Sequence, residues 1–131
     1  MTVRDLAKAI AAREKWKLAE KDGAFVLSVD LPTGRKQNVT LSEFDHEDAP
    51  MVRFLSRVGG AAKLDAARLR TALELNGRFP TGCLAIESNA LVMTDTRPLA
   101  TTTAASSSAA VRFLAAQADT YERFIYKTDE Q

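Results

Sequence analysis

The sequence predicts an α+β fold, an antiparallel sheet with helices packed on it in the order α-β-β-β-β-α-β-β-α, and three observations carry that prediction. Apolar spacing is helical at the start, changes to a period of two from Trp16, and is helical again after Asp65 and toward the C-terminal end. The stretch over residues 69–99, LRTALELNGRFPTGCLAIESNALVMTDTRPL, reads as an amphipathic helix stopped by Asn-Gly, then two apolar runs of strand length folded about Ser88-Asn89. Tight polar turns join the strand-like runs, which favours antiparallel neighbours over crossover connections. With no internal repeat and no break in composition, the 131 residues are expected to form one domain over 1–131.

Thr2 with Asp5 three positions on caps a first helix, over about residues 3–14, in which Val3, Leu6 and Ile10 share a face while Arg4, Lys8 and Arg13 turn away. Trp16 and Leu18 then alternate with Lys17, the turn Glu20-Lys21-Asp22-Gly23 reverses the chain, and Phe25, Leu27 and Val29 share the next apolar face. In Leu31-Pro32-Thr33-Gly34, proline fixes φ and glycine supplies a positive one. A third strand turns Val39 and Leu41 inward and Asn38, Thr40 and Ser42 outward, until the acidic loop Asp45-His46-Glu47-Asp48 and Pro50 end it. Residues 51–58 alternate again, with Val52, Phe54 and Val58 opposite Arg53 and Arg57. They are read as a fourth strand with Leu55 on the arginine face, a short helix being the alternative.

Gly59-Gly60 breaks the chain, and Asp65 caps a helix that carries Leu69, Ala72, Leu73 and Asn76 on one side. Gly77 is expected in the left-handed conformation that closes many helices. Phe79-Pro80-Thr81-Gly82 connects to strands at residues 83–87 and 90–94, whose continuous apolar character places them at the sheet centre, buried on both faces. Pro98 ends this hairpin. Small hydroxyl residues and alanines over 101–108 then feed a last helix, about 105–126, through a Thr or Ser cap. Val111, Leu114, Ala118, Tyr121 and Ile125 form one stripe of it, and Phe113 and Phe124 extend a second. A helix on the rim of a monomer needs one apolar face, so this width predicts a homodimer interface at Val111, Phe113, Leu114 and Tyr121.

Eighteen basic and seventeen acidic side chains nearly cancel, so no general field draws the chain to nucleic acid or to an anionic membrane. The single cysteine, Cys83, has no intrachain partner and sits in an apolar run where a small hydrophobe would serve. Charges at Arg4, Asp5 and Lys8 interrupt any signal-peptide core, and no segment is long enough to span a bilayer; the expected compartment is the cytoplasm.

Chemistry finds little to work with. His46 is the only histidine, and its loop Asp45-His46-Glu47-Asp48 has neither helical i, i+4 nor EF-hand spacing, so it reads as a solvated acidic turn with no metal. Ser106–Ser108 lack a G-x-S-x-G frame, Cys83 lies mid-strand, and Gly59-Gly60 has no following G-K-[ST]. No catalytic residue and no cofactor is expected. Arg53 and Arg57 share a strand face, with Arg35 and Lys36 at the start of a neighbouring strand. Such a stripe reads first as the wet side of a half-exposed sheet, and second as an anion or acidic-peptide site at Arg35, Arg53 and Arg57. No aromatic is interleaved to stack a base, which weighs against nucleic acid.

The chain resembles the superfamily that joins type III secretion chaperones of the CesT (Tir chaperone) type with YbjN-like proteins. The resemblance is carried by Leu75-Asn76, by the run Gly82-x-Leu84-Ala85-Ile86, by Leu91-Val92-Met93, and more weakly by Phe25-Val26-Leu27 and Ala118-Asp119. It covers most of the chain by element order and about thirty residues by motif. It implies a secretion chaperone-like α+β domain, usually a homodimer, that holds an extended segment of another protein along apolar patches. The balanced charge and the extra strand over 51–58 suit the YbjN-like branch. The resulting expectation is a non-enzymatic, dimeric protein-binding module with partner-binding residues Trp16, Phe25, Leu27, Phe44 and Phe54. A small-ligand sensor using the arginine stripe is the alternative.

Overall fold

The computed structural model describes residues 1–127. Helix α1 (Val3–Glu14) opens on Thr2, whose hydroxyl accepts from the Asp5 N–H at 3.1 Å while the Asp5 carboxylate accepts from the Thr2 N–H at 3.2 Å. Two orphan donors of the first turn are thereby used. Hydrogen bonding from Thr2, its backbone N–H first, holds the Asp5 carboxyl below its usual range. Left-handed Lys15 (φ 60°) ends the helix and leads into an antiparallel meander of β1 (Lys17–Lys21), β2 (Ala24–Asp30), β3 (Lys36–His46) and β4 (Ala49–Gly60). Asp22-Gly23 and Glu47-Asp48 both take positive φ, the two-residue reversal whose twist matches paired strands. That reversal consumes so few residues that Asp45, His46, Ala49 and Pro50 pair in register instead of forming the expected loop.

Residues 51–58 are strand, with Leu55 on the arginine face. Gly59-Gly60 extend this strand past a bulge between Arg57 and Gly59 rather than breaking it. A single 3-10 turn, Ala61–Lys63, reaches α2 (Ala66–Asn76), where the Asp65 carboxylate accepts from the Arg68 N–H at 2.8 Å. Gly77 is right-handed (φ −71°), against expectation. The positive φ falls instead on Gly82 (70°) in the connector, where an added Cβ would stand 2.8 Å from Leu114 and 2.9 Å from the Thr94 carbonyl. Strands β5 (Cys83–Glu87) and β6 (Ala90–Pro98) fold about Ser88-Asn89, both at positive φ. Helix α3 (Ala104–Glu122) begins on a Thr103–Ser106 capping box and runs into one wide turn, Arg123–Lys127.

All six strands pair antiparallel in the order β1-β2-β3-β4-β6-β5. The last hairpin is therefore not the sheet centre: β6 is interior but β5 is an edge, and Ile86 on it is half exposed. Its apolar run looked like a doubly buried strand because local pattern does not report which neighbour a strand finds. Helices α1 and α3 lie against each other, α1 over β1–β3 and α3 over β2, β3, β4 and β6, whereas α2 packs chiefly on β5. The core between them is closed by Leu6, Ile10, Leu41, Phe54, Met93 and Leu114, all without solvent contact. Burial of each such side chain contributes about 1.5–3 kcal/mol. Among the described residues no helix covers the other face of the sheet.

Candidate protein-binding surface

Strand alternation decides where the expected partner-binding residues go. Leu27 and Phe54 point under the helices and are wholly buried, and Trp16 and Phe25 are nearly so, with Arg4 stacked 5.2 Å over the Phe25 ring. These four are core, which leaves them no surface to offer a partner. Phe44 lies on the opposite, helix-free face, half buried beneath Arg53 at 4.5 Å, so the five do not meet. The expected self-interface is corrected in the same way. Val111 and Leu114 are fully buried against the sheet, and Phe113 is half covered by Phe79 of the α2–β5 connector, edge-on at 5.6 Å. Phe79 also meets Tyr121, at 6.2 Å. The second apolar stripe of α3 is largely consumed within the chain, although Phe124 keeps 74% of its surface exposed.

The apolar surface that remains gathers elsewhere. Apart from Met1, the exposed large hydrophobics are Leu69, Leu73, Ile86 and Phe124, from α2, β5 and the turn after α3. Those elements enclose a hollow of about 150 Å³ whose walls are mostly apolar, with Ala72, Leu75, Leu84, Leu91, Tyr121 and Ile125 beside Arg68 and Thr71. The inner side of α2, toward β5 and the end of α3, carries Ala72 and Leu75, and Leu73 points outward at 72% exposure rather than sharing the buried side. The Asn76 amide fixes α2 to β5: its oxygen accepts from the Leu84 N–H at 2.6 Å and its nitrogen donates to the Leu84 carbonyl at 3.0 Å. Backbone groups on an edge strand alternate in direction, so Ile86 turns its N–H and C=O to the same open side as Leu84, with no strand beyond. Next to Ile125 in the chain, Tyr126 donates its hydroxyl to the Gly60 carbonyl at 2.6 Å. Burial pushes the phenols of Tyr121 and Tyr126 above their ordinary pKa.

The arginine stripe is split by the same alternation. Arg35 turns to the helical side, where its Nε lies 2.7 Å from the buried Asp119 carboxylate; that contact raises the Arg35 pKa, and Arg123 approaches the other Asp119 oxygen at 3.4 Å. Arg53 and Arg57 stay on the helix-free face, so no three-arginine anion site forms. Cys83 is half buried there. Among the described residues no three His, Cys, Asp or Glu side chains converge, and His46 stands at the tip of the β3–β4 hairpin. Also among them, no helix is long and apolar enough to cross a membrane. The hollow thus has apolar walls, an open strand edge beside it and no titrating cluster, an arrangement suited to holding a chain segment.

Leu69, Leu73, Ile86 and Leu75 were not singled out as site residues by the sequence. Their signal was an i, i+4 leucine pair on a helix too apolar for one contact, together with an apolar strand next to a helix.

Two solved structures share this architecture. One is the Yersinia pestis type III secretion chaperone SycH in complex with a stable fragment of YscM2, with a TM-score of 0.66 and 14% identity, covering 92% of this chain and 99% of that one. The other is the HopA1-SchA chaperone-effector complex, with a TM-score of 0.66 and 10% identity, covering 92% of each chain. No protein-family model and no curated protein matches the sequence. The chain has the type III secretion chaperone fold.

Proposed function

We propose that this chain is a non-enzymatic, chaperone-like module that holds an extended apolar segment of a partner protein in the hollow between α2 and β5. The observation that carries the reading is the grouping of Leu69, Leu73, Ile86 and Phe124 on the elements around that hollow. An extended segment pairing with the Ile86 N–H and C=O gains backbone hydrogen bonds, and an apolar side chain set inward fills the space between Leu75, Leu84 and Tyr121. The SycH and SchA structures, each solved with a bound partner, support a protein-binding role. Self-association belongs to the same reading, placed on the outward stripe of α2 at Leu69 and Leu73 and not on the buried α3 residues. The lone thiol and the absence of a bilayer-length apolar segment in the sequence agree with work in the cytoplasm.

Peptides selected from a random library on the intact protein test this. They are expected to alternate apolar and polar residues, and to lose about tenfold or more in affinity with Ile86→Asp or with Ala72→Phe, which fills the hollow. Circular dichroism of both variants should match the parent. Selected peptides that bind both variants as tightly as the parent would show that the hollow is not the site.

A further inference from the structure

The helix-free face of the sheet carries a pattern that the hollow does not use. At one register an uncharged row crosses all six strands, Ala19, Val26, Thr40, Leu55, Thr94 and Cys83, each directly opposite the next. Every member is at least partly open to solvent. Two residues along the strands on one side stand Lys17 and Arg57, and two residues along on the other stand Lys21 and Arg53. None of these four cations makes an ion pair among the described residues; Arg53 instead lies over Phe44. Lys36 shares the face, paired to Asp30 at 2.9 Å, and Glu87 is its other carboxylate. Beside Leu55 and Arg57 the surface dips into a shallow depression of about 320 Å³. A chain of net charge +1 thus gathers five cations against two carboxylates on one open face.

From this geometry we infer that the helix-free face binds an amphipathic helix of a partner protein, with a narrow apolar stripe flanked on both sides by Asp or Glu. The spacing selects a helix. Cations four residues apart on one strand are about 13–14 Å apart, which brackets a helix of about 10–12 Å diameter and would leave gaps around a single extended chain. The row spans five inter-strand steps, about 24 Å, the length of roughly sixteen helical residues. Charge selects the flanks, because carboxylates meet unpaired Lys17, Lys21, Arg53 and Arg57, whereas a second copy of this face would set cation against cation. The uncharged row argues for protein over nucleic acid, since a phosphate backbone laid along it would meet Leu55 and Val26 and no free ring on which to stack a base.

A fluorescein-labelled sixteen-residue helical peptide, with an Ala/Leu stripe and Glu on both flanks, is the probe, read by anisotropy against the intact protein. Saturable binding is expected, weakening with added salt and falling about tenfold or more with Arg53→Glu/Arg57→Glu. Arg53→Lys/Arg57→Lys should retain most of it. If the reversed pair fails to fold, Lys17→Glu/Lys21→Glu on the edge hairpin reads the same contact. Peptides bound in the hollow should bind these variants as they bind the parent, so the two surfaces stand or fall separately. The inference is overturned if the peptide does not bind, if a Lys-flanked version binds equally, or if single-stranded DNA or phosphatidylserine vesicles bind more tightly with the same dependence on Arg53 and Arg57.

Discussion

Leu84 would expose an unpaired N–H and C=O at the sheet edge were it not for Asn76, whose side-chain amide takes both and so acts as a one-residue stretch of strand. The same contact ties α2 to the sheet edge, in a helix none of whose residues is fully buried. Asn76→Ala is expected to cost about 1–2 kcal/mol in urea unfolding and to speed amide hydrogen exchange at Leu84 and along α2 while α1 and α3 are unaffected. Uniform acceleration over all three helices would mean that α2 does not move as a unit. In the sequence Asn76 is visible as the last residue on one side of the helix, before Gly77, and not as a partner for a strand. Its target lies eight residues on, and nothing in helical spacing announces a side chain that pairs with a strand. Thr2 and Asp5 were legible by contrast, because a capping box is closed within four consecutive residues.

Elements divide along the same line. Asp22-Gly23 and Ser88-Asn89 announce their hairpins, and every helix and strand appears in its predicted order. What local pattern could not supply was that β6 pairs with β4 and leaves β5 at the edge, a pairing across α2 that is decided by the shared core. The turn at Arg123–Lys127 is seated by a long-range contact of this kind. Gly59 at the β4 bulge lies so close to the Tyr126 ring that a Cβ there would come within 2.3 Å of it. Because burial raises the Tyr126 pKa, the folded state favours the protonated phenol. Its contribution is complete below about pH 10, where the unfolded phenol begins to ionise, and is lost as pH rises through the folded value. The urea midpoint of the parent should therefore fall with pH above about 10 more steeply than that of Tyr126→Phe, which keeps the ring and removes the ionisation. Tyr121 titrates in the same direction in both proteins, so the difference between them isolates Tyr126. Equal slopes would show that the phenol is as well solvated as in the unfolded chain.

At the scale of the molecule, two faces of one sheet have different fates. The helical side is closed by α1 and α3 over the middle strands, and its apolar residues are spent there, which is why Val111, Leu114, Leu27 and Phe54 were misread as contact residues. Alternation told which residues share a face but not which face a helix would cover. Helix α2 is the exception, eleven residues packed chiefly along the edge strand with an apolar stripe facing outward. A helix of that length is marginal on its own, so its stability depends on what covers it. A second α2 laid antiparallel would bury Leu69 and Leu73 of both copies and bring two hollows side by side. If it does so, the protein is expected to sediment as a dimer, with a melting temperature that rises with concentration by mass action on the folded dimer. Leu69→Asp/Leu73→Asp should yield a monomer by light scattering, abolish the concentration dependence, and raise hydrogen exchange in α2 while leaving the α1–α3 core protected. A parent protein that is monomeric at about 50 μM, or a variant that remains dimeric, would remove α2 from the interface.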